Sequence, residues 1–335
     1  MVSALLELEG LRVSVPYEGG LRRVVHRVDL SVAAGESVGL VGESGAGKSM
    51  TARTVVRLLP PGATVEGSVR FDGREVLAMS PSELRAHRAA DAAMIFQDPR
   101  AHTNPLRTVG DYLTEGMRLN QRLPKRASQE RACDLLGAVG VGSPRARLSQ
   151  YPHELSSGLL QRVMIAAALS AEPRLLLADE PTTALDVTTQ AEVVAILSDL
   201  RERLGLAMLF ITHDLDLAAA ICDRTAVMYA GSIVEVQGSG ELHDHARHPY
   251  TEGLVAARPS VDTTLRRLPV IPGRPTAAFE APPGCAFAPR CRHALAHCTA
   301  ERPVLAPLGR ATVACLRAAE LHPQQPADDE ETDRG

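Results

Sequence analysis

Residues 42–49 of the chain are Gly42-Glu43-Ser44-Gly45-Ala46-Gly47-Lys48-Ser49, which match the pattern G-x-x-x-x-G-K-[ST] without a mismatch. The apolar run at 36–41 predicts a short strand before them, and 48–59 predicts a helix that ends before the prolines at 60–61. In a strand–loop–helix unit of this kind, glycines let backbone N–H groups point at phosphate oxygens, and the helix dipole favours the same anion. The stretch therefore predicts a loop that binds the phosphates of a nucleoside triphosphate.

Two side chains of this loop carry specific chemistry. Lys48 is expected to reach the β- and γ-phosphates, and the Ser49 hydroxyl is expected to ligate Mg²⁺. The next residue, Met50, is counted with the loop as part of the predicted nucleotide-binding stretch. A glycine-rich turn that matches by chance is the alternative, and the predicted strand and helix on either side argue against it.

The composition is that of a globular protein and argues against several classes of function. The formal net charge is −4 and aromatic residues make up 3% of the 335 residues, so no surface for nucleic acid is expected. No run reaches the ~18 continuous apolar residues of a membrane-spanning helix. The N-terminal MVSALLELEG has acidic residues where a signal peptide has basic ones, which predicts a cytosolic chain without structural disulfides.

Hydrophobic periodicity predicts an α/β core with a helical insertion. Strand, crossover helix and strand follow one another in the second half of the chain, and this order implies a parallel sheet. The first two strand signals alternate as in a half-exposed antiparallel sheet. After about residue 237 the chain becomes rich in Pro, His and Cys, which predicts a separate appendage. Strands are predicted at 5–15, 24–32, 36–41, 65–71, 93–97, 174–179 and 207–212, and helices at 48–59, 108–121, 128–140, 156–171 and 188–204.

A second candidate site follows the apolar run Leu175-Leu176-Leu177-Ala178, which ends in Asp179 and Glu180. A buried parallel strand would deliver Asp179 to the Mg²⁺ shell, as in other P-loop NTPases. Glu180 lies one residue further, in position to orient or deprotonate the attacking water. A core strand that meets an acidic loop is the alternative, and the upstream phosphate-binding loop favours the functional interpretation.

With these elements in place, the chain resembles the ATP-binding subunits of ABC transporters. Gln97, in the segment 94–99, matches their Q-loop glutamine. The resemblance implies that this side chain contacts Mg²⁺ and the water and couples the subunit to a permease. His213, in the segment 211–215, resembles the switch histidine of the family. It is therefore expected to contact the γ-phosphate at the end of the sheet.

The segment 151–162 (YPHELSSGLLQR) resembles the ABC signature. The resemblance implies that Ser156 and Gly158 contact the nucleotide held by a partner subunit, and that Asp186, in a D-loop-like Ala-Leu-Asp, belongs to the same site. The family normally has a second glycine where this chain has Ser157. A Cβ at Ser157 is expected to crowd the partner's γ-phosphate or to require a strained φ. We therefore expect one weakened ATP site in a dimer with a paralogue.

The C-terminal part resembles oligopeptide/dipeptide importer ATPases in two stretches, 248–251 (HPYT) and 271–291. The resemblance to the family thus runs from about residue 5 to about residue 318. It implies an ABC-type nucleotide-binding domain with a parallel core sheet, an antiparallel β subdomain and a helical subdomain, followed by a small cysteine-containing appendage. The expected divisions are the ATPase domain at 1–237 with its helical subdomain at about 98–172, the C-terminal region at 238–320 and a disordered acidic tail at 321–335.

Four cysteines in the C-terminal region suggest a metal site, because they are separated by only five, six and sixteen residues. The spacing is neither that of zinc ribbons nor a common ferredoxin pattern. The residues alone allow Zn²⁺, an iron–sulfur cluster or four reduced thiols without a ligand. The resemblance to the family favours a [4Fe–4S] cluster with a structural role. The four residues are Cys285, Cys291, Cys298 and Cys315.

The residue that stacks on adenine is less well defined by the sequence. The aromatic residue that usually follows the first strand in the family would align near Val15, which cannot stack. Tyr17 is two residues away and is the candidate for this role. An exposed tyrosine without a role in binding is the alternative.

Together these features predict the ATP-hydrolysing, energy-coupling subunit of a peptide importer. The resemblance implies ATP and Mg²⁺ as ligands, two transmembrane permeases and a second ABC ATPase as direct partners, and a substrate-binding protein as an indirect one. It places the chain at the cytoplasmic face of the membrane without a membrane-spanning helix of its own. The alternatives are a subunit of a nickel or other small-solute importer, a soluble ABC ATPase of translation or DNA repair, and a mainly regulatory nucleotide-binding subunit.

Overall fold

The computed structural model describes residues 4–183, 185–258 and 269–323 of the chain. Ala184 of the predicted D-loop and residues 324–335 of the predicted acidic tail lie outside these ranges.

The strands are β1 (Ala4–Tyr17), β2 (Gly20–Ala33), β3 (Ser37–Val41), β4 (Thr64–Phe71), β5 (Arg74–Glu75), β6 (Ala92–Ile95), β7 (Leu175–Asp179), β8 (Ala207–Thr212), β9 (Arg224–Tyr229), β10 (Ser232–Gly238), β11 (Ala306–Leu308) and β12 (Ala311–Val313). The helices are α1 (Lys48–Val55), α2 (Pro81–Ala86), α3 (Val109–Leu119), α4 (Lys125–Ala138), α5 (Pro144–Arg147), α6 (Ser157–Leu169), α7 (Val187–Leu204), α8 (Leu215–Ile221), α9 (Pro249–Ala256), α10 (Ala296–Ala300) and α11 (Ala318–Leu321).

The core is a parallel sheet in the order β9-β3-β8-β7-β6. Strands β3, β7 and β8 are buried along their whole length, which is why the sequence has continuous apolar runs there. Alternate residues of β7 face opposite layers. Leu175 and Leu177 pack in the cluster that contains residues of α1, and Leu176 and Ala178 pack in the cluster that contains residues of α6 and α7. The predicted α/β fold with a parallel core is therefore confirmed.

An antiparallel sheet joins the core on one side. Strands β1 and β2 form a hairpin, β4 pairs with β1, and β5 pairs with β4. The hairpin is joined to the core through β10. This strand pairs with β9 of the core and, at Ser232, with Arg27 of β2. The antiparallel β subdomain predicted from the alternating pattern at 5–15 and 24–32 is confirmed.

The helical insertion lies between β6 and β7. Met117 of α3, Leu136 of α4 and Val163 of α6 share one buried apolar cluster with the parallel strands. The periodicity predicted these three helices to within a few residues. It missed α2, although the start of that helix carries a complete capping box between Ser80 and Glu83 with Pro81 at the first helical position.

The first helix is shorter than predicted. We expected it to reach residue 59, and it ends at Val55. Arg57 has a φ of 49°, so the chain turns out of the helix there rather than at the prolines at 60–61. A left-handed arginine gives no sequence signal of the kind that glycine or proline gives, and the predicted end was wrong by four residues for that reason.

The C-terminal region is joined to the core sheet rather than held apart from it. Strand β12 pairs with β10 and with β11, and the Ala314 N–H donates to the Val234 carbonyl oxygen at 2.8 Å. Because β2 pairs with β10 only at Ser232, the rest of that side of β10 would otherwise have unpaired backbone groups. This contact between the C-terminal region and β10 was not predicted, and the domain division near residue 237 stays a prediction. In the part of the chain that the structure describes, no helix is long and apolar enough to cross a membrane.

Candidate active site

The loop 42–49 connects β3 to α1, and its glycines are required by close contacts. A Cβ on Gly42 would lie 2.1 Å from the Met228 carbonyl oxygen. Gly47 caps α1 with a φ of 102°, and a Cβ there would lie 2.6 Å from the Val24 carbonyl oxygen. Ser44 and Gly45 are exposed at the turn, Ala46 is buried, and Met50 lies half-buried in α1 against the core. The predicted phosphate loop is thus formed by backbone geometry that other residues would not allow.

Lys48 is buried at the base of this loop, with 4% of its side chain exposed. Its Nζ donates to the carbonyl oxygens of Gly42 at 2.7 Å and Glu43 at 3.2 Å, and it lies 3.6 Å from Glu180 Oε1. Burial lowers the pKa of Lys48 from its ordinary value, and the neighbouring carboxylates oppose that shift. A cation held in this way is poised to exchange these oxygens for those of a phosphate.

Asp179 ends β7 with its side chain fully buried. The Ser49 hydroxyl donates to its Oδ1 at 2.6 Å, whereas its Oδ2 is buried without a hydrogen-bond partner in the described residues. Burial raises the pKa of Asp179 above its ordinary value. An unpaired buried carboxylate oxygen beside a serine hydroxyl is a donor set that suits Mg²⁺, so the two residues fit the metal predicted for them.

Glu180 is the point at which the predicted catalytic side chains meet. Its Oε2 accepts from Gln97 Nε2 at 3.1 Å and from the Thr183 hydroxyl at 2.8 Å, and lies 3.7 Å from His213 Nδ1. Its backbone has a φ of 47°, which is uncommon for a residue with a Cβ, and its N–H donates to the Ile211 carbonyl oxygen at 3.0 Å. A strained backbone of this kind is typical of residues held in place for function.

These groups lie at the carboxyl ends of four neighbouring parallel strands. The phosphate loop follows β3, His213 follows β8, Asp179 and Glu180 end and follow β7, and Gln97 follows β6. Ligands of open α/β sheets bind at the carboxyl ends of the strands. His213 is 64% exposed, so its imidazole is accessible for a ligand above this edge.

The signature residues make local bonds of their own. Ser156 caps α6 and its hydroxyl accepts from the Leu159 N–H at 3.3 Å. Ser157 begins the helix, is exposed and does not have a positive φ, so the expected backbone strain at this residue is absent. A Cβ on Gly158 would lie 2.7 Å from Thr189 Cγ2. Asp186 caps α7 and accepts from the Thr189 N–H at 3.0 Å.

The structure places Tyr17 at the tip of the β1–β2 hairpin, where 47% of it is exposed. Its ring is stacked on Phe279, with centroids 5.7 Å apart and an interplanar angle of 22°. Phe279 comes from the C-terminal region and was not predicted. No local pattern marks it, because the contact joins residues that are far apart in the sequence.

The four C-terminal cysteines line one small cavity together with Phe287. The Cys285 N–H donates to the Cys298 carbonyl oxygen at 2.8 Å, which holds two of the cysteine-bearing segments together. Burial raises the pKa values of the Cys285 and Cys291 thiols and raises that of Cys315 to about 11. No group of three or more His, Cys, Asp or Glu side chains in the described residues has the arrangement of a metal site. The four cysteines therefore share a cavity, and the metal site stays a prediction.

A phosphate loop, a buried carboxylate for Mg²⁺ and a glutamate beside them define a P-loop ATPase. Residues 25–183 match the ABC transporter family, and residues 234–298 match the C-terminal region of oligopeptide/dipeptide transporters. The chain is 42% identical to the oligopeptide transport ATP-binding protein OppD of Escherichia coli, over 90% of this chain and 89% of that one. It is 40% identical to the dipeptide transport ATP-binding protein DppD of Bacillus subtilis, over 88% of each chain. The chain therefore belongs to the ATP-binding proteins of ABC transporters, in the oligopeptide/dipeptide family.

Solved structures agree with the fold. The dimeric ATP-binding cassette MJ0796, in a post-hydrolysis state with ADP and Pi bound, superimposes with a TM-score of 0.63. The two chains are 26% identical, and the match covers 70% of this chain and 98% of that one. The 30% of this chain that the match does not cover is about as long as the C-terminal region of this chain.

Proposed function

We propose that this chain is the ATP-hydrolysing, energy-coupling subunit of a peptide importer, acting as a dimer with a second ABC ATPase beneath two permeases. The observation that carries the proposal is the meeting of Lys48, Gln97 and His213 on Glu180, beside the buried Asp179. The C-terminal match to oligopeptide/dipeptide transporters supports a peptide as the cargo. Its relatives are named for oligopeptide and dipeptide transport.

The residues of this site divide the work of hydrolysis among them. Backbone N–H groups of the phosphate loop and the Lys48 ammonium bind the phosphates, and His213 contacts the γ-phosphate from the exposed side. Glu180 orients the attacking water and accepts its proton. Gln97 fixes the carboxylate of Glu180 by a hydrogen bond. Ser49, Asp179 and Gln97 would hold Mg²⁺, which would neutralise charge on the phosphates when it is bound.

The proposed dimer would place two nucleotides between two subunits. Ser156, Gly158 and Asp186 would then serve the nucleotide held by the partner, and the exposure of Ser156 and Asp186 in this chain is consistent with that. We propose that the partner is a paralogue, because Ser157 departs from the family pattern. Closure on ATP and reopening after hydrolysis would drive the permeases.

The surface proposed for the permeases lies next to Gln97. A groove between the core and the helical insertion is lined in part by Phe96, Tyr112 and Met164. Leu106, in the segment between β6 and α3, is 85% exposed, and Leu119 at the end of α3 is 72% exposed. We propose that these two side chains belong to the permease contact, because an exposed apolar patch is typical of an interaction surface. In the cell this contact would hold the chain at the cytoplasmic face of the membrane, with a substrate-binding protein as an indirect partner and no nucleic acid.

We also propose that Cys285, Cys291, Cys298 and Cys315 hold a [4Fe–4S] cluster with a structural role, with Zn²⁺ as the alternative. Their shared cavity supports the proposal. Anaerobic purification followed by iron, sulfide and zinc analysis tests it. Loss of the metal in the Cys298→Ser variant, but not in the Cys133→Ser control, is expected, and a chain without any metal would contradict the proposal.

The first experiment on the function is isolation of the chain from detergent-solubilised membranes, followed by mass spectrometry of the bound proteins. Two permeases and a second ABC ATPase are expected. A preparation that contains ribosomes or nucleic acid and no permease would overturn the transport proposal. The isolated complex in proteoliposomes then separates the cargo classes, because ATP hydrolysis stimulated by peptides supports this proposal and hydrolysis stimulated only by nickel supports the alternative.

A further inference from the structure

The C-terminal region contacts the phosphate loop directly, through a segment that we call the C-terminal strap, residues 271–290. The Ala278 N–H donates to the Gly45 carbonyl oxygen at 3.2 Å. The His26 ring donates from Nε2 to the Ala278 carbonyl oxygen at 2.6 Å, which ties the same residue to β2. The strap therefore lies against the loop that is proposed to bind the phosphates.

A further contact is a partly buried ion pair between Arg290 and Glu43. Arg290 Nη1 lies 2.9 Å from Glu43 Oε2 and 3.3 Å from Oε1, and only 5% of the arginine side chain is exposed. The same guanidinium donates to the Tyr229 hydroxyl at 3.3 Å and to the Pro272 carbonyl oxygen at 2.8 Å. Because its N–H donors are occupied by three different partners, the guanidinium of Arg290 is fixed in one position. The fixed guanidinium in turn fixes the position of the Glu43 carboxylate.

The backbone of Glu43 is held as well. Its N–H donates to the hydroxyl of Tyr250 at 3.1 Å, and Tyr250 is fully buried. Its carbonyl oxygen accepts from Lys48 Nζ at 3.2 Å and from the Ala46 N–H at 3.2 Å. A movement of Glu43 would therefore move the carbonyl that Lys48 contacts and the turn that presents N–H groups to phosphate.

The charges give a second reason for the arrangement. Glu43 places a carboxylate within the loop that must accept the negative phosphates, and without a partner it would repel them. Arg290 neutralises this carboxylate from a position in the C-terminal region. Tyr250 is the third residue of the HPYT stretch at 248–251, so that stretch also supplies a contact to the phosphate loop.

We propose that Arg290 and Tyr250 are positioning residues of the nucleotide site, which act through Glu43 on the phosphate loop and thereby set the affinity for ATP and ADP. The inference rests on the proposed function, since it assumes that the loop binds nucleotide. It assigns to the C-terminal region a role within its own subunit, in addition to any role in transport.

The test is nucleotide binding by the full chain and its variants, measured by titration with ATP and ADP. Arg290→Met is expected to raise the Kd of both nucleotides about tenfold, because one charged hydrogen-bonded contact is lost and Glu43 is left unpaired. Glu43→Gln combined with Arg290→Met is expected to recover part of the loss. Arg274→Met is the matched control, because Arg274 lies in the same strap, is 80% exposed and pairs with Glu280 rather than with the loop.

Two further measurements separate positioning from a merely structural role. Tyr250→Phe removes only the hydroxyl and is expected to raise the Kd without loss of folded protein. In the complex, Arg290→Met should raise the KM for ATP by more than it lowers kcat. The inference is overturned if Arg290→Met and Tyr250→Phe lower the melting temperature but bind ADP as the wild type does. Wild-type protein that binds no nucleotide would instead overturn the proposed function itself.

Discussion

A single carboxylate contacts most of the side chains that are predicted to be catalytic in this ATPase. Glu180 accepts hydrogen bonds from Gln97 and Thr183 and lies near Lys48 and His213. Since Lys48 is also the group proposed to bind the β- and γ-phosphates, an arriving phosphate would compete with Glu180 for it. The exchange would leave the carboxylate free to face the water.

Replacement of Glu180 by glutamine tests this assignment. The amide keeps the shape of the side chain but cannot accept the proton of the attacking water, so hydrolysis is expected to fall by about 10²–10⁴-fold. ATP binding should remain, and the two are measured as phosphate release by the complex and as the Kd for ATP. Thr183→Val, which removes one bond to the carboxylate and leaves its charge, should lower the rate much less. Undiminished hydrolysis in Glu180→Gln would assign the base to another residue.

The ring of Tyr17 is the predicted stacking surface for adenine. Stacking of a base on an aromatic side chain is worth about 1–3 kcal/mol, so Tyr17→Ala is expected to weaken ATP binding by that amount, and Tyr17→Phe should preserve it. Leu21→Ala is the control, because Leu21 lies on the same hairpin as Tyr17 and is 55% exposed. Equal ATP affinities for Tyr17→Ala and the wild type would show that Tyr17 is only a surface residue packed on Phe279.

At the scale of helices and strands, the sequence predicted the elements that carry the candidate catalytic groups. Strand β8 was predicted with its observed bounds and β7 to within one residue, because continuous apolar runs of this length are characteristic of buried parallel strands. The end of α1 and the existence of α2 were missed. Both depend on local features, a left-handed arginine and a capping box, that hydrophobic periodicity does not measure.

The contact between α6 and α7 explains why residue 158 is glycine. A Cβ on Gly158 would lie 2.7 Å from Thr189 Cγ2, so Gly158→Ala is expected to destabilise the fold by about 1–3 kcal/mol and to displace the signature. Thr189→Ser removes that methyl group but retains the hydroxyl that donates to Asp186. The double variant should therefore regain most of the lost stability in thermal denaturation. Equal melting temperatures for Gly158→Ala alone and for the double variant would contradict this explanation.

The segment between β6 and α3 presents Leu106 to the outside. If this side chain docks on a permease, Leu106→Asp is expected to abolish transport and co-isolation of the permeases, with nucleotide affinity unchanged. Leu204→Asp, at the end of α7 and 59% exposed, is the matched control for a charge on an exposed leucine. Retention of the permeases by Leu106→Asp would place the docking surface elsewhere.

At the scale of the whole molecule, the sequence did not predict how the C-terminal region meets the nucleotide site. The phosphate loop and the carboxylates that are predicted to be catalytic follow from local patterns, whereas the pair of Arg290 and Glu43 joins residues on separate elements. No sequence pattern around Glu43 or Arg290 indicates that the two residues are in contact. The same limit applies to Phe279 on Tyr17 and to the pairing of β12 with β10, which the sequence analysis did not predict.

The position of Arg290 links the proposed metal site to the phosphate loop. Cys291 follows Arg290 directly, and Phe287 packs on Tyr250 with ring centroids 5.4 Å apart. A metal that fixes the cysteines would therefore also fix the arginine that holds Glu43. Removal of the metal is expected to raise the Kd for ADP by up to the tenfold expected for Arg290→Met, as measured by titration of metal-loaded and metal-depleted protein.

The Arg290→Met variant is the control for this last prediction. It lacks the ion pair with Glu43, so the position of the cysteines can no longer affect Glu43 through residue 290. Metal depletion should therefore cause little further loss of ADP affinity in that variant, whereas Cys133→Ser should respond as the wild type does. An equal loss in the wild type and in Arg290→Met would mean that the metal stabilises the chain in general. Unchanged ADP affinity after depletion would mean that the strap keeps its position through Phe287 and its hydrogen bonds alone.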